Sequence, residues 1–239
     1  MNTVKFDKRN TLVIAHRGVS GLEVENTNAA FIAAGNRSYY GVETDIHKTA
    51  DGSFVIFHDG NLLRTAGENI SVEEVSLSVL MSVTLFDKDG TKNRPDLRPT
   101  TLENYISICK KYETHCVLEL KSEFTDEEIE AIVNIIKGYN YLDEVTFISF
   151  KFDNLVKIRK ILPTQSVQFL FSEITDEITA AIKEHGFDVD IHYSALNKDV
   201  IDDLHGAGIK INCWTVDNKE KAEELALFGV DYITTNILE

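Results

Sequence analysis

Cys116-Val117-Leu118-Glu119-Leu120, then Thr125-Asp126-Glu127-Glu128, then Val145-Thr146-Phe147-Ile148-Ser149 read as a short apolar run, a helix start and a second apolar run. Both runs are apolar at odd and even positions, as in parallel strands covered on both faces. Between them Thr125 is placed to cap a helix reaching about Lys137, and Glu128 completes a capping box with it. The alternation continues outward in both directions. Short runs recur at residues 11–15, 42–46, 167–171, 187–191, 209–214 and 231–234. Asp217-Asn218 precedes a further helical stretch through Ala222, Leu225 and Ala226 that ends near Gly229. Eight such runs alternating with helices in 239 residues predict a (β/α)8 TIM barrel of mixed α/β class. A doubly wound open sheet shares the local pattern, and only closure of the sheet separates the two.

One segment breaks the alternation. After residues 42–47 comes Lys48-Thr49-Ala50-Asp51-Gly52-Ser53, then Phe54-Val55-Ile56-Phe57-His58-Asp59. Asp-Gly between apolar runs signals a hairpin. Read as a two-residue loop, it faces Ala50 with Ser53 and sets Asp45 opposite His58. Residues 62–96 then form a polar excursion in which 87–95 is an exposed loop. The prediction is a single domain over residues 1–239, with a small insertion after the second strand at roughly 60–98. Only three prolines occur, and no Gly/Ser-rich linker divides the chain.

Composition narrows the function. Hydrophobic residues make up 43% and charged residues 26%, too apolar for a disordered chain. With 24 Lys+Arg against 39 Asp+Glu, the formal charge is −15, which argues against a nucleic-acid binder or a protein held on anionic lipid. An anionic substrate would need positive charge concentrated locally. Cys109, Cys116 and Cys213 form no Cys-x-x-Cys pair, which suits a reducing compartment. Residues 1–10 lack the apolar run of a signal peptide, and no stretch approaches the ~20 apolar residues of a membrane span. A cytoplasmic protein without stable membrane association is expected.

Active sites of α/β barrels gather at the C-terminal ends of the strands. There the first strand ends in His16-Arg17-Gly18, the second carries Glu43 and Asp45 on one face, and the hairpin return ends in His58-Asp59. The next strand brings Glu119 and Lys121, and the seventh ends at Trp214. Taken singly, each is ordinary: a rim histidine, an edge-strand carboxylate, a surface ion pair. Delivered together by separate segments to one rim, they describe a site. Glu43, Asp45 and Glu119 repel one another unless a cation joins them, and all-oxygen ligation points to Mg²⁺ or Ca²⁺. His115, His185 and His205 read as surface residues, His47 as outside the site, and His192 as a rim residue. Cys213 reads as a buried small side chain.

The same residues resemble the glycerophosphodiester phosphodiesterase family. The resemblance is carried by Ala15-His16-Arg17-Gly18, Glu25-Asn26-Thr27, Gly41-Val42-Glu43-Thr44-Asp45, Thr49-Ala50-Asp51-Gly52 and Val55-Ile56-Phe57-His58-Asp59. It continues through Pro99-Thr100-Thr101-Leu102-Glu103, Leu118-Glu119-Leu120-Lys121, Ser149-Phe150, Trp214-Thr215-Val216 and Gly229-Val230-Asp231-Tyr232-Ile233-Thr234. It implies a TIM barrel that hydrolyses glycerophosphodiesters to sn-glycerol 3-phosphate and an alcohol with a divalent cation. On that basis Glu43, Asp45 and Glu119 are the implied metal ligands, and His16 and His58 the acid–base pair. Arg17 and Lys121 would contact phosphate, and Trp214 and Phe150 would form the wall against glycerol. The family also implies attack by the neighbouring glycerol hydroxyl through a cyclic phosphate. Three departures stand out: Val24 in place of the usual Pro, Asp217 in place of Asn and expected to cap the next helix, and Thr235-Asn236 where Thr-Asp is usual.

Other functions fit less well. A lysophospholipase D or sphingomyelinase-D-like enzyme on this barrel would call for an exposed apolar loop or basic amphipathic helix, and none is evident. A non-catalytic phosphate-compound binder would be expected to lack one of His16, His58, Glu43, Asp45 or Glu119. A glycosidase with paired carboxylates leaves His16, Arg17 and Lys121 without work.

Overall fold

The computed structural model describes residues 2–239. Its strands are β1 (Leu12–Ala15), β2 (Gly41–Lys48), β3 (Phe54–Ile56), β4 (Thr100–Thr101), β5 (His115–Leu120), β6 (Val145–Ser149), β7 (Val167–Phe171), β8 (Asp188–His192), β9 (Ile211–Trp214) and β10 (Tyr232–Thr235). Removing the short pair β3 and β4 leaves eight parallel strands in the order β1-β10-β9-β8-β7-β6-β5-β2, and β1 pairs with β2 to close the ring. Closure decides for the barrel over the open sheet.

Outward-facing strand residues such as Val42, Ile46, Leu118 and Phe147 join the apolar faces of the surrounding helices in one core. The helix after β5, Asp126–Gly138, buries Ile129, Ile132, Val133 and Ile136, spaced as one helical stripe. Thr125 and Glu128 form the expected capping box at its start. Inside the barrel, Ile14, Val117, Ile148 and Leu170 pack against Trp214 and Tyr232 and floor the C-terminal mouth.

The hairpin register differs from the sequence reading by one residue. Ile46, His47 and Lys48 pair with Ile56, Val55 and Phe54, and the Phe57 amide donates to the Asp45 carbonyl at 3.0 Å. Phe57, not His58, therefore faces Asp45. The cause is a three-residue loop, Ala50-Asp51-Gly52, with Gly52 at φ +74°. Thr49 closes it, its amide donating to the Ser53 carbonyl at 2.9 Å and its Oγ1 accepting from the Ser53 amide at 3.1 Å.

The excursion between β3 and β4 is less polar than its composition suggests. Phe57, Leu62, Ala66, Val72, Leu80, Leu85 and Leu97 bury together with Val24 and Val55 as a second apolar cluster. These residues follow neither a helical nor a strand period, so pattern reading misses them. β4 then pairs antiparallel with β3 and returns the chain to the barrel.

Two smaller expectations also change. Asn218, not Asp217, caps the last helix (Lys219–Phe228), accepting from the Lys221 amide at 2.8 Å. His115 is partly buried rather than on the surface, its Nε2 2.8 Å from Thr146 Oγ1. All three cysteines are free and buried. Among the described residues, no helix is long and apolar enough to cross a membrane.

Candidate active site

At the C-terminal mouth of the barrel lies a cleft of about 110 Å³. His16, Arg17, Glu43, His58, Glu119, Lys121, Phe150 and Trp214 all line it. Asp45 does not line the wall but is buried with the other two carboxylates, and one oxygen of each lies within 4.8 Å of the others. The structure thus brings every predicted site residue to one place. His47 stays outside, its Nε2 3.2 Å from the His58 carbonyl and its Nδ1 3.3 Å from Glu73. His192 packs edge-on against Trp214 at 5.2 Å.

The turn after β1 sets the geometry. Arg17 and Gly18 both take positive φ, 53° and 75°. This aims the Arg17 amide at Glu43 Oε2, to which it donates at 2.8 Å, and turns its guanidinium onto Glu25 at 2.9 Å and toward Asp45 at 3.6 Å. A Cβ on Gly18 would sit 2.6 Å from the Ala30 Cβ and 2.7 Å from its carbonyl carbon. Gly18→Ala is therefore expected to cost at least about 2 kcal/mol through backbone strain and overpacking. For a chain of this size, that lowers the melting temperature by about 4–8 °C in a calorimetric scan. A variant melting with wild type would show that the turn relaxes freely.

Each histidine has its Nδ1 engaged. His16 Nδ1 meets Asn236 Oδ1 at 2.7 Å, and His58 Nδ1 meets Asp59 Oδ1 at 2.7 Å. Nε2 is the free ring atom of His16 and lies 4.0 Å from Glu43. Burial, with Arg17 adjacent, pulls His16 down to about 4, so the imidazole is neutral at pH 7. Burial likewise lowers His58, against the opposing pull of Asp45.

The carboxylates divide by environment. Burial and Asp45 push Glu119 up to about 8, and the same two causes raise Glu43 well above the ordinary carboxylate range. Burial works against ionisation of Asp45 too, but Lys121 and Arg17 outweigh it and hold Asp45 low. Lys121 Nζ lies 3.1 Å from Glu119 and 3.6 Å from Asp45. Asp45 Oδ2 accepts from Asn26 Nδ2 at 2.8 Å, while its Oδ1 is buried with no hydrogen bond. A buried acceptor left open beside two carboxyls whose ionisation is opposed by burial and by a neighbouring carboxylate fits a hard divalent cation.

Several supporting residues went unassigned at the sequence level. Glu25 ties Arg17 to Arg64, and Arg64 grips Asp59 through Nε at 2.7 Å, so one ladder from the insertion backs both Arg17 and His58. Glu25 and Asn26 stood in quoted motifs without a role, whereas Arg64 lies in the excursion and carries no sequence signal. Two of the departures from the family pattern meet: Asn236 Nδ2 donates to Asp217 Oδ2 at 2.5 Å while its Oδ1 faces His16. Asp217 thus anchors the support of His16 instead of capping a helix.

Residues 16–239 match the model of the glycerophosphoryl diester phosphodiesterase family. The chain is 30% identical over 229 residues to a glycerophosphodiester phosphodiesterase of Caldanaerobacter subterraneus, covering 95% of this chain and 94% of that protein. Among solved structures it is similar to a phosphodiesterase of Oleispira antarctica in complex with the product sn-glycerol-3-phosphate. That match has a TM-score of 0.88 and 27% identity, covering 97% of this chain and 95% of the other. A glycerophosphodiester phosphodiesterase from Parabacteroides distasonis superposes with a TM-score of 0.79 at 29% identity, over 95% and 93% of the two chains.

Proposed function

The chain belongs to the glycerophosphoryl diester phosphodiesterase family, and from that premise we propose that it hydrolyses glycerophosphodiesters to sn-glycerol 3-phosphate and an alcohol at this cleft. It is a phosphoric diester hydrolase. The observation that carries the residue assignment is the meeting of two Nδ1-anchored histidines, three buried carboxyls and two fixed cations around one cleft.

Glu43, Asp45 and Glu119 would hold the divalent cation, Mg²⁺ or Ca²⁺. When bound, it supplies positive charge that offsets the phosphodiester anion and stabilises charge developing on the phosphoryl oxygens. Arg17 and Lys121 add fixed charge, which is how a chain of net charge −15 takes an anion. Asn236 anchors Nδ1 of His16 and leaves Nε2 toward the reacting atoms. His58, anchored through Asp59 and Arg64, faces the same cleft. One imidazole takes the proton of the attacking glycerol hydroxyl and the other gives one to the leaving alcohol oxygen; water then opens the cyclic phosphate with the two roles reversed, giving sn-glycerol 3-phosphate. Trp214, with its indole N–H on the Asp190 carbonyl at 3.2 Å, and Phe150, edge-on to it at 5.6 Å, form the wall against the carbon skeleton. Phe150 is 45% exposed and stands at the mouth.

The test is release of sn-glycerol 3-phosphate from glycerophosphocholine, run with Mg²⁺, with Ca²⁺ and with chelator. Turnover that needs the cation is the expected result. A folded protein inactive on this diester and on its ethanolamine, glycerol and inositol counterparts would overturn the reading.

A further inference from the structure

The charged groups assigned so far stand on the β1, β2 and β5 side of the cleft. The far side holds one ionisable residue with no role. Asp190, in the middle of β8, lines the cleft at only 2% exposure, and its Oδ1 has no hydrogen-bond partner. Its lateral neighbours do not serve it. Leu170 on β7 is apolar, and the Asn212 amide on β9 is committed to Gln168 and Thr234 at 3.3 and 3.1 Å. Trp214 takes the backbone carbonyl of Asp190 rather than its carboxyl. No Lys, Arg or His among the described residues forms an ion pair with it. Burial alone pushes this carboxyl well above its ordinary range, and in either protonation state it offers an oxygen to a hydroxyl.

A buried polar group without a partner costs stability. One kept in the wall of a cleft points to a partner that arrives with the ligand. Ring order says which part of the ligand arrives. Counting β2-β5-β6-β7-β8 one way and β2-β1-β10-β9-β8 the other, β8 stands diametrically opposite β2. A phosphate held by Arg17, Lys121 and the carboxyl cluster therefore sends one ester arm across the barrel toward β8. That arm meets Ile148, Leu170 and Trp214 as apolar surface, with Asp190, Thr215 and Thr234 as the polar exceptions. A short carbon chain bearing hydroxyls satisfies both.

We propose that Asp190 hydrogen-bonds a hydroxyl of the substrate's glycerol arm and makes the cleft select glycerol phosphates over hydroxyl-free alkyl phosphates. The inference rests on the glycerophosphodiester reading above. It is tested by calorimetric titration of sn-glycerol 3-phosphate and of propyl phosphate into wild type, Asp190→Leu and Asp190→Asn, each with Mg²⁺ present. Wild type is expected to prefer glycerol 3-phosphate by about 10–100-fold. Asp190→Leu should bring that preference to within about threefold, and Asp190→Asn, which keeps an acceptor oxygen, should retain most of it. The melting temperature of Asp190→Leu should equal or exceed wild type, because an unpaired buried polar group is gone.

A purely structural role gives the opposite pattern, a lower melting temperature with both ligands weakened alike, and would overturn the proposal. So would an intact preference in Asp190→Leu, or an effect confined to turnover of diesters with a cationic head group. If wild type turns over glycerophosphodiesters but does not prefer glycerol 3-phosphate, this inference fails alone. If wild type neither turns them over nor binds either monoester, the functional reading fails and takes the inference with it.

Discussion

His16→Ala and His58→Ala are each expected to lower kcat for glycerophosphocholine by about 10²–10⁴, the usual worth of a positioned proton-transfer group. The double variant should be little worse than the poorer single one, because an acid and a base serving one displacement act as a unit. Neither change should unfold the chain. Both side chains stand at the cleft rather than in the apolar core, and the partners they release, Asn236 and Asp59, keep their other bonds to Asp217 and Arg64. Steady-state release of sn-glycerol 3-phosphate, alongside a melting curve for each variant, makes the measurement. A folded His16→Ala enzyme keeping more than about a tenth of wild-type kcat would remove His16 from the chemistry, since so small a loss is below that of a proton-transfer group.

What the sequence revealed and what it concealed follow from the range of the forces involved. The barrel was legible because strands buried on both faces and capped amphipathic helices write their periods locally: residues 145–149 are β6, and Thr125 caps as its spacing predicts. The site was legible because ionisable residues at strand ends are conspicuous against apolar runs. The hairpin register was not, since Asp-Gly serves both two- and three-residue loops and the Thr49 side chain tips the balance. Nor was the cluster of Phe57, Leu62, Leu80 and Leu97, whose members meet only through tertiary packing. Arg64 is the sharpest case. It looks like any surface arginine of a short helix, yet it joins Glu25 to Asp59 and so backs Arg17 and His58 together. Asp190 reads as a strand carboxylate among others until its missing partner and its place opposite β2 are seen.

Glu119→Gln should separate holding a cation from holding the fold. With its carboxyl raised to about 8 by burial and Asp45, Glu119 carries a proton at pH 7 without a cation, and glutamine is a near-isosteric neutral substitute. The cation-free variant is therefore expected to melt above wild type at pH 7. The sign of the pH dependence follows. Between 4.5, the ordinary value, and about 8, folded Glu119 binds a proton that the unfolded chain has released. Its contribution is thus present below that window and lost as pH rises through it, and Glu119→Gln removes the slope. Adding Mg²⁺ or Ca²⁺ to about 100 times its Kd should stabilise wild type by about 2.7 kcal/mol. In a chain of this size, that raises the melting temperature by about 5–10 °C. The variant, deprived of one of three carboxylates, should show only about 1–2 °C if its cation affinity falls about a hundredfold. Differential scanning calorimetry with and without cation, at pH 6, 7 and 8, reads all of these effects. A variant with the full cation shift would place the ion elsewhere, and one melting well below wild type without cation would mean that Glu119 is charged and paired with Lys121 in the free enzyme.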